Sequence, residues 1–126
     1  MDVTPLVPKG RQLIQSYGDN GFRVSGARYE GSVWILPEQT IAWPVNAIAE
    51  VSPDSLTELL NLASQHVRIL LIGTGKSMLP LPASWRIMAR EADVALEAMD
   101  TGAACRTYNV LLTEERSVAA ALIAVD

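Results

Sequence analysis

The stretch from Val67 to Ile72, VRILLI, is apolar apart from Arg68. It shows no alternation of apolar and polar positions, so it suits a strand covered on both faces and not a half-solvated one. A strand of that kind needs helices above and below it. The flanking sequence supplies them. Ser52 has the character of an N-cap, with Pro53 at the first helical position and Asp54 in the first turn, and Leu56, Leu59, Leu60 and Ala63 then recur at helical spacing to about Gln65. A second helix is expected over Ala83–Ala92, a strand over 94–99, a third helix from about Ala103 to Glu114, and a closing strand over Val118–Val125. This βαβαβ rhythm places strands 67–72 and 94–99 parallel, and by pattern alone the last strand as well.

Before residue 50 the punctuation is of a β type. Asp19-Asn20-Gly21 and Glu30-Gly31 separate short runs rich in Val, Ile, Tyr, Phe and Trp. Strands are expected near Leu13–Tyr17, Phe22–Val24, Ala27–Tyr29, Ser32–Leu36 and Thr40–Trp43, mostly antiparallel, with Pro37 and Pro44 ending strands. The expected fold is therefore α/β: one domain over residues 1–126, with a β-hairpin extension on a mostly parallel sheet. A chain of 126 residues is long enough to bury such a core.

The tail of the VRILLI strand reads Gly73-Thr74-Gly75-Lys76-Ser77, which has the look of a phosphate loop. The spacing excludes it. A Walker A loop requires glycine at position 70, where Leu70 stands, and a helix beginning at the Lys-Ser pair, where Pro80 and Pro82 intervene. A dinucleotide fingerprint requires glycine at position 78, which is Met78. The two glycines are then read as a backbone that needs positive φ or close packing at the end of a buried strand.

Cys105 falls near the start of the third helix beside Arg106, a setting that favours thiolate. A nucleophile wants a base, however, and His66 is the one histidine, before strand 67–72 and so at the far end of the sheet. With parallel strands, the glycine loop and the third helix's N-terminus share the carboxyl edge, where open α/β sheets hold ligands. Gly73, Thr74, Gly75, Lys76, Thr101, Gly102, Cys105, Arg106 and Tyr108 are accordingly the candidate crevice, suited to a small anion.

Other chemistries are thinly represented. The single cysteine excludes an internal disulfide and a cysteine-based zinc site, no metal set or cofactor fingerprint is present, and the carboxylates are scattered. A net charge of −4 with no basic run speaks against nucleic acid. The longest apolar run, Val118–Val125, is under half of the ~20 residues that a spanning helix needs. The N-terminal MDVTPLVPKGRQ has no apolar signal core, so a cytoplasmic protein is expected.

The segment Asp100-Thr101-Gly102-Ala103-Ala104-Cys105-Arg106-Thr107-Tyr108-Asn109, with the G-T-G of residues 73–75, Pro80, Pro82 and the closing Val118–Leu122, resembles a family of small single-domain proteins of bacteria, archaea and mitochondria. Its eukaryotic members include respiratory complex I assembly factor three and an adipogenesis-associated protein. Val24-Ser25-Gly26 and Gly31-Ser32 extend the likeness toward the N-terminus. The resemblance implies a three-layer α/β fold with a central mixed sheet, an added hairpin layer, and a last strand antiparallel to the others. It implies no enzyme activity, no cofactor, and work by binding a protein partner, with a homo-oligomer left open. Two functions follow: a non-catalytic binding or assembly module, and a small-anion or thiol-redox protein built on the Gly73–Lys76 loop and Cys105.

Overall fold

The computed structural model describes residues 11–63 and 66–126. The expected end of the first helix at Gln65, and all but the last two residues of the N-terminal stretch read for a signal, lie outside them.

Two turns of the same kind build the first sheet. Strands β1 (Ile14–Gly18) and β2 (Gly21–Val24) are joined through Asp19 and Asn20, with φ of 51° and 60°. Strand β3 (Ala27–Glu30) follows β2 across Ser25 and Gly26, with φ of 47° and 88°. Two successive positive φ values give the hairpin twist that matches paired strands. These three strands form an antiparallel sheet in the order β1-β2-β3.

The next hairpin, β4 (Ser32–Ile35) and β5 (Thr40–Trp43), does not extend that layer. It joins the central sheet, because β4 pairs antiparallel with the final strand, β8 (Val118–Leu122). With β6 (Ile69–Gly73) and β7 (Ala95–Met99), the central sheet has the order β5-β4-β8-β6-β7. β6 pairs parallel with both β7 and β8. The antiparallel last strand implied by the resemblance is thus found only toward β4, and toward β6 the plain strand–helix–strand pattern holds. The physical reason lies in the connection: the helix between β7 and β8 carries the chain back along the sheet, so β8 enters from the same end as β6.

Helices α1 (Pro53–Ala63), α2 (Ala83–Glu91) and α3 (Thr101–Thr113) complete the chain. The Ser52 cap is present, its hydroxyl accepting from Ser55 N at 3.1 Å. α3 begins two residues earlier than expected, because Asp100 is its cap and accepts from Ala103 N at 2.9 Å.

Strand alternation divides the interior in two. Trp34, Leu70, Ile72, Ala119 and Ala121 face α1 and α2, where Leu59, Trp85 and Ala89 meet them. Val33, Ile35, Leu71, Ala120 and Leu122 face α3 and the small sheet, where Phe22, Val24 and Tyr108 meet them. Three layers result, as the resemblance implied. β8 lies at the centre with both faces covered, and there the side chains of Ala119, Ala120 and Ala121 leave room for helix and sheet alike.

Candidate functional site

The Gly73–Lys76 loop leaves β6 at the edge where β7 turns into α3, so topology brings the expected neighbours together. Hydrogen bonding then closes the edge. Thr74 N donates to Met99 O at 2.9 Å and Thr101 N to Gly75 O at 2.8 Å. The Thr101 hydroxyl accepts from Gly75 N at 3.0 Å and donates to Ile123 O at 2.7 Å, and Ile123 N donates to Gly73 O at 2.9 Å. The Thr74 hydroxyl donates to Ser77 O at 2.7 Å and accepts from Leu79 N at 3.0 Å. An anion held by this loop would need those amides free. Here Thr74 and Gly75 spend theirs on the protein.

The glycines serve the junction itself. Gly75 has φ of +113°, and a Cβ on Gly73 would stand 3.0 Å from Thr101 Cα. Thr101, expected in the crevice wall, is fully buried as the keystone of the joint. Gly102 lies under Tyr17, whose hydroxyl would be 2.6 Å from an added Cβ.

The remaining candidates disperse. Lys76 Nζ reaches Asp126 at 3.0 Å in solvent. Arg106 Nη1 donates to the Tyr17 hydroxyl at 3.4 Å on the exposed side of α3. Tyr108 is fully buried in the core on the α3 side of the sheet, its hydroxyl donating to Gln12 O at 2.6 Å, and burial raises its pKa. A shallow hollow of about 280 Å³ lies between β1 and α3, with Tyr17, Cys105 and Arg106 among its walls.

Cys105 departs from the reactive setting expected of it. With α3 starting at Thr101, it sits beyond the first turn, where the helix end has its effect. It is also buried in the α3-side core. Desolvation pushes the thiol up from 9.0 to about 12, against a smaller opposing effect of Arg106, while Asp100 raises it further. Native chain at pH 8 should accordingly react with iodoacetamide on the order of a thousandfold more slowly than urea-unfolded chain. Mass spectrometry of timed quenches reads this directly, and native alkylation within tenfold of the unfolded rate would contradict the burial argument.

Two side chains do work that sequence reading missed. Asn109 clamps the edge of β1, accepting from Ile14 N at 3.1 Å and donating to Ile14 O at 2.6 Å, as a neighbouring strand would. Its signal was its place in the Cys105–Asn109 segment, without any hint of its partner. Arg86 on α2 donates to Leu96 O of β7 at 3.1 Å, which no local pattern foretold. Among the described residues no group of three or more His, Cys, Asp and Glu is placed to hold a metal, and no helix is long and apolar enough to cross a membrane. The larger hollows lie elsewhere, one of about 440 Å³ near His66 and Glu38 and one of about 490 Å³ beside β7.

Comparison with known proteins adds to this geometry. The family described as a protein of unknown function (DUF498/DUF598) matches residues 14–123. The chain is 34% identical over 111 residues to NADH dehydrogenase [ubiquinone] 1 alpha subcomplex assembly factor 3 of Xenopus tropicalis, covering 88% of this chain and 60% of that protein. The chain thus spans about 60% of the length of that relative. An uncharacterized protein of Rhodobacter capsulatus is 37% identical over 114 residues, covering 90% of this chain and 86% of its own. Among solved structures, one titled an outer membrane protein from Bartonella henselae superimposes with a TM-score of 0.85 at 36% identity, over 96% of this chain and all of that one.

Proposed function

The chain belongs to the DUF498/DUF598 family, and from that premise we propose that it is a non-catalytic, assembly-factor-like protein that works by binding a protein partner in building a respiratory complex. The observation that carries this reading is the 34% identity to a complex I assembly factor, sustained across 88% of the chain. The geometry of the glycine loop supports the same side. Its Thr74 and Gly75 amides bond within the protein and its nearest thiol is buried, so the small-anion or redox reading gains nothing from it.

The proposal takes the chain as one domain over residues 1–126, acting in the cytoplasm. A net charge of −4 and its protein-assembling relative both favour a protein over a nucleic acid as partner. Deleting the gene in its host and resolving membranes by native gel electrophoresis tests the role. The expected result is a fall in fully assembled NADH dehydrogenase with accumulation of partial complexes. Normal assembly and normal NADH oxidation in the deletion strain would sink it.

A further inference from the structure

β7 is an edge strand of the central sheet and, among the described residues, pairs with β6 alone. Ala95 N donates to Arg68 O, and Met99 O accepts from Thr74 N, so residues 95, 97 and 99 direct their backbone toward β6. By the two-residue alternation of a strand, Leu96 and Ala98 direct theirs outward. The outward carbonyl of Leu96 is held by the Arg86 guanidinium at 3.1 Å, and among the described residues the outward groups of Ala98 have no ladder partner. An open edge of this kind is a template for a further strand. Alongside it runs the hollow of about 490 Å³, whose charged walls are Arg68, Arg86, Arg90, Asp93 and Glu97. Three guanidinium groups therefore face two carboxylates, in a chain whose net charge is −4. Asp93 lies 4.0 Å from Arg68, while Arg86 and Arg90 stand on α2, over the face of β7 that carries Leu96.

We propose that the outer edge of β7 is the docking site for an extended, acidic segment of a protein partner, which adds to the central sheet as its sixth strand. This deepens the protein-binding reading above and rests on it. The incoming strand donates a backbone N–H to Leu96 O in place of Arg86 and accepts from Ala98 N. Its side chains alternate between the two faces. Those on the α2 side meet Arg86 and Arg90, so carboxylates at every second position suit it, and those on the other side lie beside exposed Ala95 and Glu97. Main-chain bonding supplies the attachment, and the released Arg86 exchanges a neutral acceptor for a charged one.

The probe is a synthetic nine-residue peptide alternating Val and Glu, with a Val/Lys counterpart, followed by NMR on the isotope-labelled full chain. The expected result is saturable shifts of the Leu96 and Ala98 amides, with the Glu peptide about tenfold tighter than the Lys peptide. Ala98→Pro removes the outward N–H and should abolish the shift of the Leu96 amide while leaving the circular dichroism intact. The double variant Arg86→Gln, Arg90→Gln should erase the preference for Glu, and it serves where the proline variant fails to fold. Equal binding of the two peptides, or shifts mapping away from β7, overturns the proposal. So does a wild-type dimer in sedimentation that Ala98→Pro dissociates, since a second copy is then the occupant. Reintroducing Ala98→Pro into the deletion strain separates the two readings. Restored assembly of NADH dehydrogenase would refute the edge and keep the role, whereas peptide binding without any assembly defect would keep the edge and refute the role.

Discussion

Thr101→Val should lower the free energy of unfolding by about 3 kcal/mol, with a fall in Tm of roughly 10 °C. Valine replaces the hydroxyl with a methyl of similar volume, so no cavity opens and the loss is one of hydrogen bonding. Two groups are stranded in a site closed to water: Gly75 N, which donates to the hydroxyl at 3.0 Å, and Ile123 O, which accepts from it at 2.7 Å. Each unsatisfied buried group costs about 1–3 kcal/mol. Thr101→Ser is the control, since it keeps both bonds and loses one buried methyl, at about 1 kcal/mol. Urea denaturation of the three proteins decides the matter. If valine is tolerated as well as serine, the hydroxyl is not what ties β6, α3 and the end of β8 together, and the edge has the slack that a ligand would need.

Alkaline solution should unfold this protein early. Cys105 titrates near 9.0 when unfolded and at about 12 when folded, and burial raises Tyr108 as well. Both groups are neutral when protonated, so above pH 9 the unfolded chain gives up protons that the folded chain retains. The unfolded state then binds fewer protons, and stability falls as pH rises. Below pH 9 the Cys105 contribution is fully present. Between pH 9 and 12 it is lost at about 1.4 kcal/mol per pH unit, on the order of 4 kcal/mol in all. Tyr108 adds its own decline above pH 10. Denaturant midpoints measured from pH 8 to 11 should fall for the wild type, and Cys105→Ala should be flatter by the cysteine's share. Parallel curves for the two proteins would show that the thiol is not the buried titrating group.

Much of the architecture was legible along the chain because the relevant physics is local. The run at Val67–Ile72, the helical spacing of Leu56, Leu59, Leu60 and Ala63, and the Asp19-Asn20 turn each express a backbone preference or a face within a few residues. The errors were also local. Asp100 and Thr101 both have the character of a cap, and a start near Ala103 is what the sequence suggests, yet the Asp100 carboxylate starts the helix at Thr101 and so moves Cys105 out of the first turn. Nothing in the turns around β4 and β5 says which sheet this hairpin joins. Its actual place follows from β8, some 80 residues later, which offers β4 a fully buried partner.

The candidate site shows the same division more sharply. The order of strands and helices was enough to bring the Gly73–Lys76 loop and the α3 start to one edge. Whether that edge is open depends on which atoms already have partners, and those partners are distant in sequence. Thr101 answers Gly75 from 26 positions away and Ile123 from 22. Asn109 holds Ile14 across 95. The sequence by itself determined the element types, the two-faced burial of the central strands and the absence of a phosphate-loop spacing, because each is written in neighbouring residues. Only the tertiary structure decided that β8 lies between β4 and β6, that the Thr74 and Gly75 amides bond within the protein, and that β7 is left as an edge. A hydrogen bond or a strand pairing is settled by which groups meet in space once the whole chain has closed on its core.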